Sequence, residues 1–283
     1  MTKNKKEVNI ETRKGSTMDE WPEPIVRVQS LAESNLSSLP DRYIKPASQR
    51  PTTIEEAPAA TNIPIIDLEG LFLEDGSPDE AIMAQISEAC REWGFFQVLN
   101  HGVRPELMDA ARENWREFFH LPVNEKETHR NSPKTYEGYG SRLGVEKGAI
   151  LDWSDYYFLH LLPPHLKDFN KWPSFPPTIS TSIILHCAHN YNLCVCHDKM
   201  QILSNSAYKS VEHRVIVNSE KERVSLAFFY NPKSDIPIQP LQELVSTHNP
   251  PLYPPMTFDQ YRLFIRTQGP QGKSHVESHV SPR

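Results

Sequence analysis

An α+β fold is predicted for this chain of 283 residues, on three observations. Helix-period apolar spacing is concentrated between residues 21 and 121. The second half instead offers extended segments rich in Val, Ile, Phe and Tyr, and elements segregated in this way mark that class. A hydrophobic share of 38% and 25 prolines, nearly twice the usual proline share of about 5%, leave less core than the length suggests. The organisation expected is a flexible tail over 1–20, an N-terminal domain over 21–150 and further strands over 151–178. An atypical junction over 179–199 and a C-terminal part over 200–283 follow.

Taken in order, residues 1–20 alternate Lys with Glu and Thr and lack periodic apolar positions. Ile25, Val28 and Leu31 suggest a short helix after Pro24, Pro40 begins a turn before Arg42, and Gln49 to Asn62 is a Pro/Thr/Ala-rich linker. Ile63 to Leu68 is a short strand. Ser77-Pro78-Asp79-Glu80 has the form of a capping box, with Ser77 as cap and Pro78 at the first helical position. The helix that follows sets Ile82, Ile86, Ala89, Cys90 and Trp93 on one face, and Gly94 stops it. Phe95–Leu99 is a buried-type strand, Asn100-His101-Gly102 a turn, and Pro105–Leu121 a second helix closed by Pro122. His101 is explained by turn geometry and Cys90 by core packing. Tyr136 to Gly140 reads as a turn, and Leu151 to Tyr157 runs into aromatic strand sequence.

Several classes of function are disfavoured at this stage. A formal net charge of −6 gives no footprint for nucleic acid. No apolar run approaches the roughly 18 residues that a bilayer span needs, and Met1–Lys14 has no signal-peptide core, so the expected address is cytoplasmic, with nuclear entry open. Four cysteines in a chain of this size and address do not indicate a disulfide framework.

The strongest chemical signal lies between Met200 and Pro232. Ala207–Val217 and Arg223–Tyr230 read as two strands joined by the polar turn Asn218-Ser219-Glu220-Lys221, which predicts a hairpin. His213 sits on the first strand. Arg223 and Ser225, two apart, share one face of the second. A neutral imidazole can ligate a transition metal, and a guanidinium beside a hydroxyl can fork onto a carboxylate. The competing reading is an ordinary strand histidine and a solvated arginine. Farther on, Phe258 and Arg262 lie one helical turn apart, which suits a small apolar acid, or else Arg262 only decorates its helix.

Leu203-Ser204-Asn205, Tyr208-Lys209-Ser210-Val211-Glu212-His213-Arg214-Val215 and the Arg223-x-Ser225 pair resemble the C-terminal signature of the iron(II)- and 2-oxoglutarate-dependent oxygenases of plants. Ile63-Pro64-x-Ile66-Asp67-Leu68 and Trp93-Gly94-Phe95-Phe96-Gln97-Val98-x-Asn100-His101-Gly102-Val103 resemble their N-terminal domain. The similarity covers 21–178 and 199–283, and its wording is similar to the jasmonate-induced oxygenases, which hydroxylate jasmonic acid. The resemblance implies a double-stranded β-helix, or jelly roll, behind an N-terminal domain of helices and strands. It implies His213 as a ligand of Fe(II), Arg223 and Ser225 as the grip on 2-oxoglutarate, Phe258 and Arg262 as contacts to a small-molecule acid substrate, and ascorbate as an accompanying cofactor.

Between Thr178 and Met200 the pattern breaks. The family places a helix, several barrel strands, an Asn-Tyr-Tyr-Pro run and the His-x-Asp pair of iron ligands there, and none of them is found. The short stretch carries His186, Cys187, His189, Cys194, Cys196, His197 and Asp198, without paired spacing for zinc and without the residue that separates the ligands of His-x-Asp. Asp198 matches a structural Asp of the family. The barrel is therefore expected to be incomplete, with unpaired edges that promote self-association, and the chain inactive as an oxygenase. A non-catalytic binder of small acids and a truncated product remain the alternatives.

Overall fold

A short helix whose first N–H groups are capped from 126 residues away introduces the way this chain is held together. The computed structural model describes residues 21–47, 50, 63–141, 147–179, 193–195 and 197–268, so the tail, the linker and most of the junction lie outside the described residues. Helix α1 spans Val28–Glu33, and its backbone donors Val28 N–H and Gln29 N–H bond the two carboxylate oxygens of Asp155 at 3.0 and 3.1 Å. Asp155 also accepts from the Tyr139 hydroxyl at 3.0 Å and from Ser141. An orphan helix end is thus satisfied by a side chain brought in by tertiary structure.

The N-terminal lobe follows the sequence closely. Strand β1 is Ile65–Asp67, α2 is Glu80–Glu92, β2 is Phe95–Leu99 and α3 is Pro105–His120, followed by the short α4, Val123–Glu127. The cap of α2 differs from expectation: Asp79, not Ser77, accepts from Ile82 N–H at 2.9 Å. Ser77 is occupied earlier, because its N–H and hydroxyl both bond Asp75 in a loop closed by a Phe72–Pro78 bridge. At the other end Gly94 has φ +73°, and a Cβ there would lie 2.6 Å from the Lys209 carbonyl, so glycine is required both as a helix stop and as a close approach. Trp93, expected inside, is 38% exposed, because it is the cap residue itself and lies edge-on to Phe95.

Strands β1 and β2 pair in parallel, and β2 pairs antiparallel with β5, Leu193–Val195, in a three-stranded sheet. Ile66, Phe96 and Val98 from the sheet close over Ala89 and Cys90 of α2. Gly138–Gly140 forms β3, paired with β4, Tyr156–Phe158. The turn expected at 136–140 is thus a buried strand in its second part. Gly138 leaves room for the His129 carbonyl and Gly140 for the Asn131 and Tyr156 side chains, and Tyr139 between them bonds His129 O and Asn131 N–H at 2.9 Å each. Tyr139, fully buried, joins Trp115, Phe118 and Trp172 in the second core. Phe118 meets Trp115, Phe119, Tyr139 and Tyr157 at ring-centroid distances of 5.0 to 6.2 Å, mostly edge to face, and each such pair adds about 0.5 to 1.5 kcal/mol beyond its buried area.

Helix α5, Asp198–Leu203, the pair β6, Pro237–Ile238, with β7, Met256–Thr257, and helix α6, Phe258–Gln268, build a third core around Ile202, Ile238, Tyr253, Met256 and Phe258. Seven strands in sheets of three, two and two are present among the described residues, a jelly roll left incomplete. The expected hairpin is not formed as a ladder. Residues 209–233 carry no strand assignment, although Asn218 closes the predicted turn by accepting from Glu220 and Lys221 N–H at 2.8 and 2.9 Å. Turn chemistry is local and survives, whereas a ladder needs neighbouring strands to dock against.

Candidate functional site

The Leu203-Ser204-Asn205 step folds for reasons visible in its side chains. Asn205 and Ser206 take positive φ of 50° and 69°, a conformation in which Asn is enriched. Asn205 bridges to the 250–252 loop, donating to Pro250 O at 3.1 Å and accepting from Leu252 N–H at 2.8 Å. Ser204 Oγ accepts from Tyr208 N–H at 3.0 Å, and Gln201 Oε1 accepts from Ser210 N–H at 2.9 Å. Beyond this buried turn the chain is exposed from Glu212 to Arg223.

Asp198 anchors the same turn. One carboxylate oxygen accepts from Ser210 Oγ at 2.5 Å and the other from the Tyr261 hydroxyl at 2.8 Å. Burial, reinforced by the Asp198 charge and the hydrogen bond to it, pushes the Tyr261 hydroxyl well above the ordinary tyrosine range, so it remains a donor. Asp198 is a structural crosslink between α5 and α6. Beside it, Lys199 Nζ donates to Asn231 Oδ1 at 2.8 Å and lies 5.3 Å from the Phe258 ring centroid, and burial lowers its pKa.

The sequence-predicted residues are placed as follows. His213 is exposed, with Nδ1 3.2 Å from Val211 O. Arg223 and Ser225 are both exposed on one side of their extended segment, while Val224 and Leu226 turn inward onto the Trp115–Phe118 core, so the shared face is real even without a ladder. Next to them Glu222 bonds His120 Nε2 at 2.8 Å and Arg116 Nε at 3.3 Å, which hold its carboxyl below the usual range and moor the segment to α3. Phe258 is buried, stacked on Tyr261 at 6.1 Å, and the Arg262 guanidinium lies 5.8 Å from its centroid while pairing with Asp259 at 2.5 Å. His101 accepts from Val103 N–H at 3.2 Å, inside its own turn.

One residue that sequence reasoning set aside lies near the site. His197 packs on Phe229 at 5.4 Å, and its pKa is lowered by burial first, then by the nearby positive charge of Lys199 and, to a lesser degree, His213. The two histidines are sixteen positions apart, and no local spacing announces their approach. These groups do not fit a three-ligand iron site. Both oxygens of Asp198 accept hydrogen bonds from side chains, and among the described residues no three His, Cys, Asp or Glu side chains gather to hold a metal ion. His186, Cys187, His189 and Cys196 lie outside the described residues, as do the side chains at 193–195.

Comparison with known families decides the lineage. Residues 63–175 match the model for the N-terminal region of the non-haem dioxygenase of morphine synthesis, and residues 158–232 that for the 2OG-Fe(II) oxygenase superfamily. Jasmonate-induced oxygenase 2 of Arabidopsis thaliana is 64% identical over the full length of both chains. The chain belongs to the 2OG-Fe(II) oxygenase family. Jasmonate-induced oxygenase 1 of the same plant is 54% identical, over 99% of this chain and 92% of its own. A crystal structure of JOX2 in complex with 2OG, Fe, and JA matches with a TM-score of 0.82 at 60% identity, covering 93% of this chain and all of that one. The alignment with oxygenase 2 runs over 372 positions against 283 residues here, so at least 89 positions of that alignment have no residue of this chain. Fe(II) and 2-oxoglutarate are the cofactors of the oxygenase family. No helix among the described residues is long and apolar enough to cross a membrane.

Proposed function

We propose that this chain is a jasmonate-type member of its family that retains recognition of small acids and has lost oxygenase turnover. The assignment of the acid side rests on Arg223 and Ser225 for 2-oxoglutarate and on Phe258 with Arg262 for the jasmonate-like substrate. Arg223 and Ser225 keep the shared outward face that a forked carboxylate contact requires. His213 is the one family ligand for Fe(II) that the chain supplies from its described part. When bound, Fe(II) supplies activation of dioxygen coupled to decarboxylation of 2-oxoglutarate. A single exposed imidazole is a weak hold, because such sites depend on several preorganised donors.

The observation that carries this reading is the setting of His213, which is exposed with Nδ1 3.2 Å from Val211 O, and beside which no second and third ligand gather among the described residues. The sequence itself carries no His-x-Asp pair, and at least 89 positions of the alignment with Jasmonate-induced oxygenase 2 have no residue of this chain. The test is succinate release from 2-oxoglutarate with ferrous iron, ascorbate and jasmonic acid. Release no faster than from a His213→Ala variant is expected, and turnover abolished by that variant would overturn the inactive reading. Calorimetry with jasmonic acid and chelator present addresses the retained part: heat lost in Arg262→Ala supports acid recognition without metal, and no heat removes it. The cytosol is the proposed location.

A further inference from the structure

We propose that residues 211–215 form the seam of a two-fold symmetric dimer, in which this segment pairs antiparallel with its own copy about His213. The reading is independent of the acid-binding proposal. Every residue from Glu212 to Arg223 is exposed, and Val215, Ile216 and Val217 keep 61, 62 and 60% of their surface in contact with solvent. Three β-branched residues in a row at this exposure, in a segment without a ladder, form an edge that another strand can extend.

The arm is held at both ends, which limits what ordering it on association would cost. At its root Lys209 N–H donates to Cys90 O at 3.1 Å and Val211 lies against Gly94. At its return Glu222 is held by His120 and Arg116. The Asn218 turn closes its tip. An arm fixed in this way presents a preorganised edge.

The occupant is argued from charge and register. With the axis through His213, Glu212 of one copy faces Arg214 of the other and Val211 faces Val215, each pair occurring twice by symmetry. Moving the axis one residue forward sets Arg214 against itself, and one residue back sets Glu212 against itself. Like charges directly opposite are destabilising, so of these three registers the one about His213 is favoured. A second copy of this chain therefore offers this edge complementary charge.

The test uses the full chain in sedimentation velocity over a range of concentrations. A reversible dimer is expected, weakened at least tenfold by Glu212→Arg or by Arg214→Glu alone and restored by the two together. Both positions are exposed, and circular dichroism confirms that each variant is folded. A second measurement is independent of affinity: in His213→Cys the two thiols meet across the axis at a Cα separation of roughly 4.5 to 5.5 Å, within disulfide reach, so mild oxidation yields a covalent dimer. Ile216→Cys, three residues off the axis, gives none above the unmodified chain. A monomer at all concentrations, a dimer indifferent to the single charge reversals, a double reversal as weak as the singles, or equal crosslinking at 213 and 216 would each overturn the proposal.

Discussion

The lobe built on α3 has a packed aromatic core, whereas the arm over 209–230 packs its root and the inward-turned Val224 and Leu226 but leaves residues 212–223 exposed. In the lobe, Phe118 is 1% exposed and Tyr139 is fully buried. In the arm, Phe229 is 54% and Tyr230 69% exposed. The difference lies in what each can dock against. Tyr139 has β4, α3 and α4 around it, whereas Val215–Val217 extend into solvent with no adjacent sheet among the described residues. Composition alone therefore does not bury a strand; a second layer must be present to receive it.

The contrast can be broken at several points, beginning with the largest effect. Phe118→Ala should cost about 3 to 5 kcal/mol by urea denaturation, because it opens a cavity among four rings that cannot close over it. A loss under 1 kcal/mol would mean that the lobe is as loosely packed as the arm. Asp155→Asn comes next, at about 1.5 to 3 kcal/mol, since the variant cannot accept from two backbone N–H groups and two hydroxyls at once. Amide exchange should then rise first in α1.

Acidity probes the lobe more gently. His129 and His197 both have pKa values lowered by burial, so they stay neutral when folded and take up protons when unfolded. Their contribution is full above the unfolded value of about 6.5 and is lost as pH falls from there through the lowered folded values. A melting temperature lower at about pH 5.5 than at pH 7.5 is expected, with the slope reduced in His129→Gln. The smallest effect belongs to the arm. Glu222→Ala removes two exposed ion pairs and should change stability by less than about 1 kcal/mol, while speeding amide exchange between 212 and 223. Unchanged exchange there would show that the arm is held by something other than this mooring.

Site and fold were legible to different depths in the residues. The Phe95–Leu99 strand, the two long helices, the Gly94 stop and the Asn218 turn all follow from local chemistry, and the structure agrees with each. The pairing of Arg223 with Ser225 was equally legible, because a period of two depends only on an extended backbone. The Ser77 cap failed because its hydroxyl turns toward Asp75, and Asp79 supplies the accepting oxygen for Ile82 N–H instead. The double use of Asp198 carried no local signal, since it depends on where α5 and α6 meet.

By itself the sequence determined the lineage, most elements of the N-terminal lobe and the shared face of Arg223 and Ser225. These depend on side-chain chemistry and short-range spacing, which a chain carries with it wherever it folds. Only the tertiary structure decided that Asp155 caps a helix 126 residues away, that Asp198 is a crosslink, and that two strand-forming segments lack a ladder. Hydrogen bonds and apolar burial between distant segments exist only once both partners are in place, so the fate of each segment rests on its neighbours as much as on its own residues.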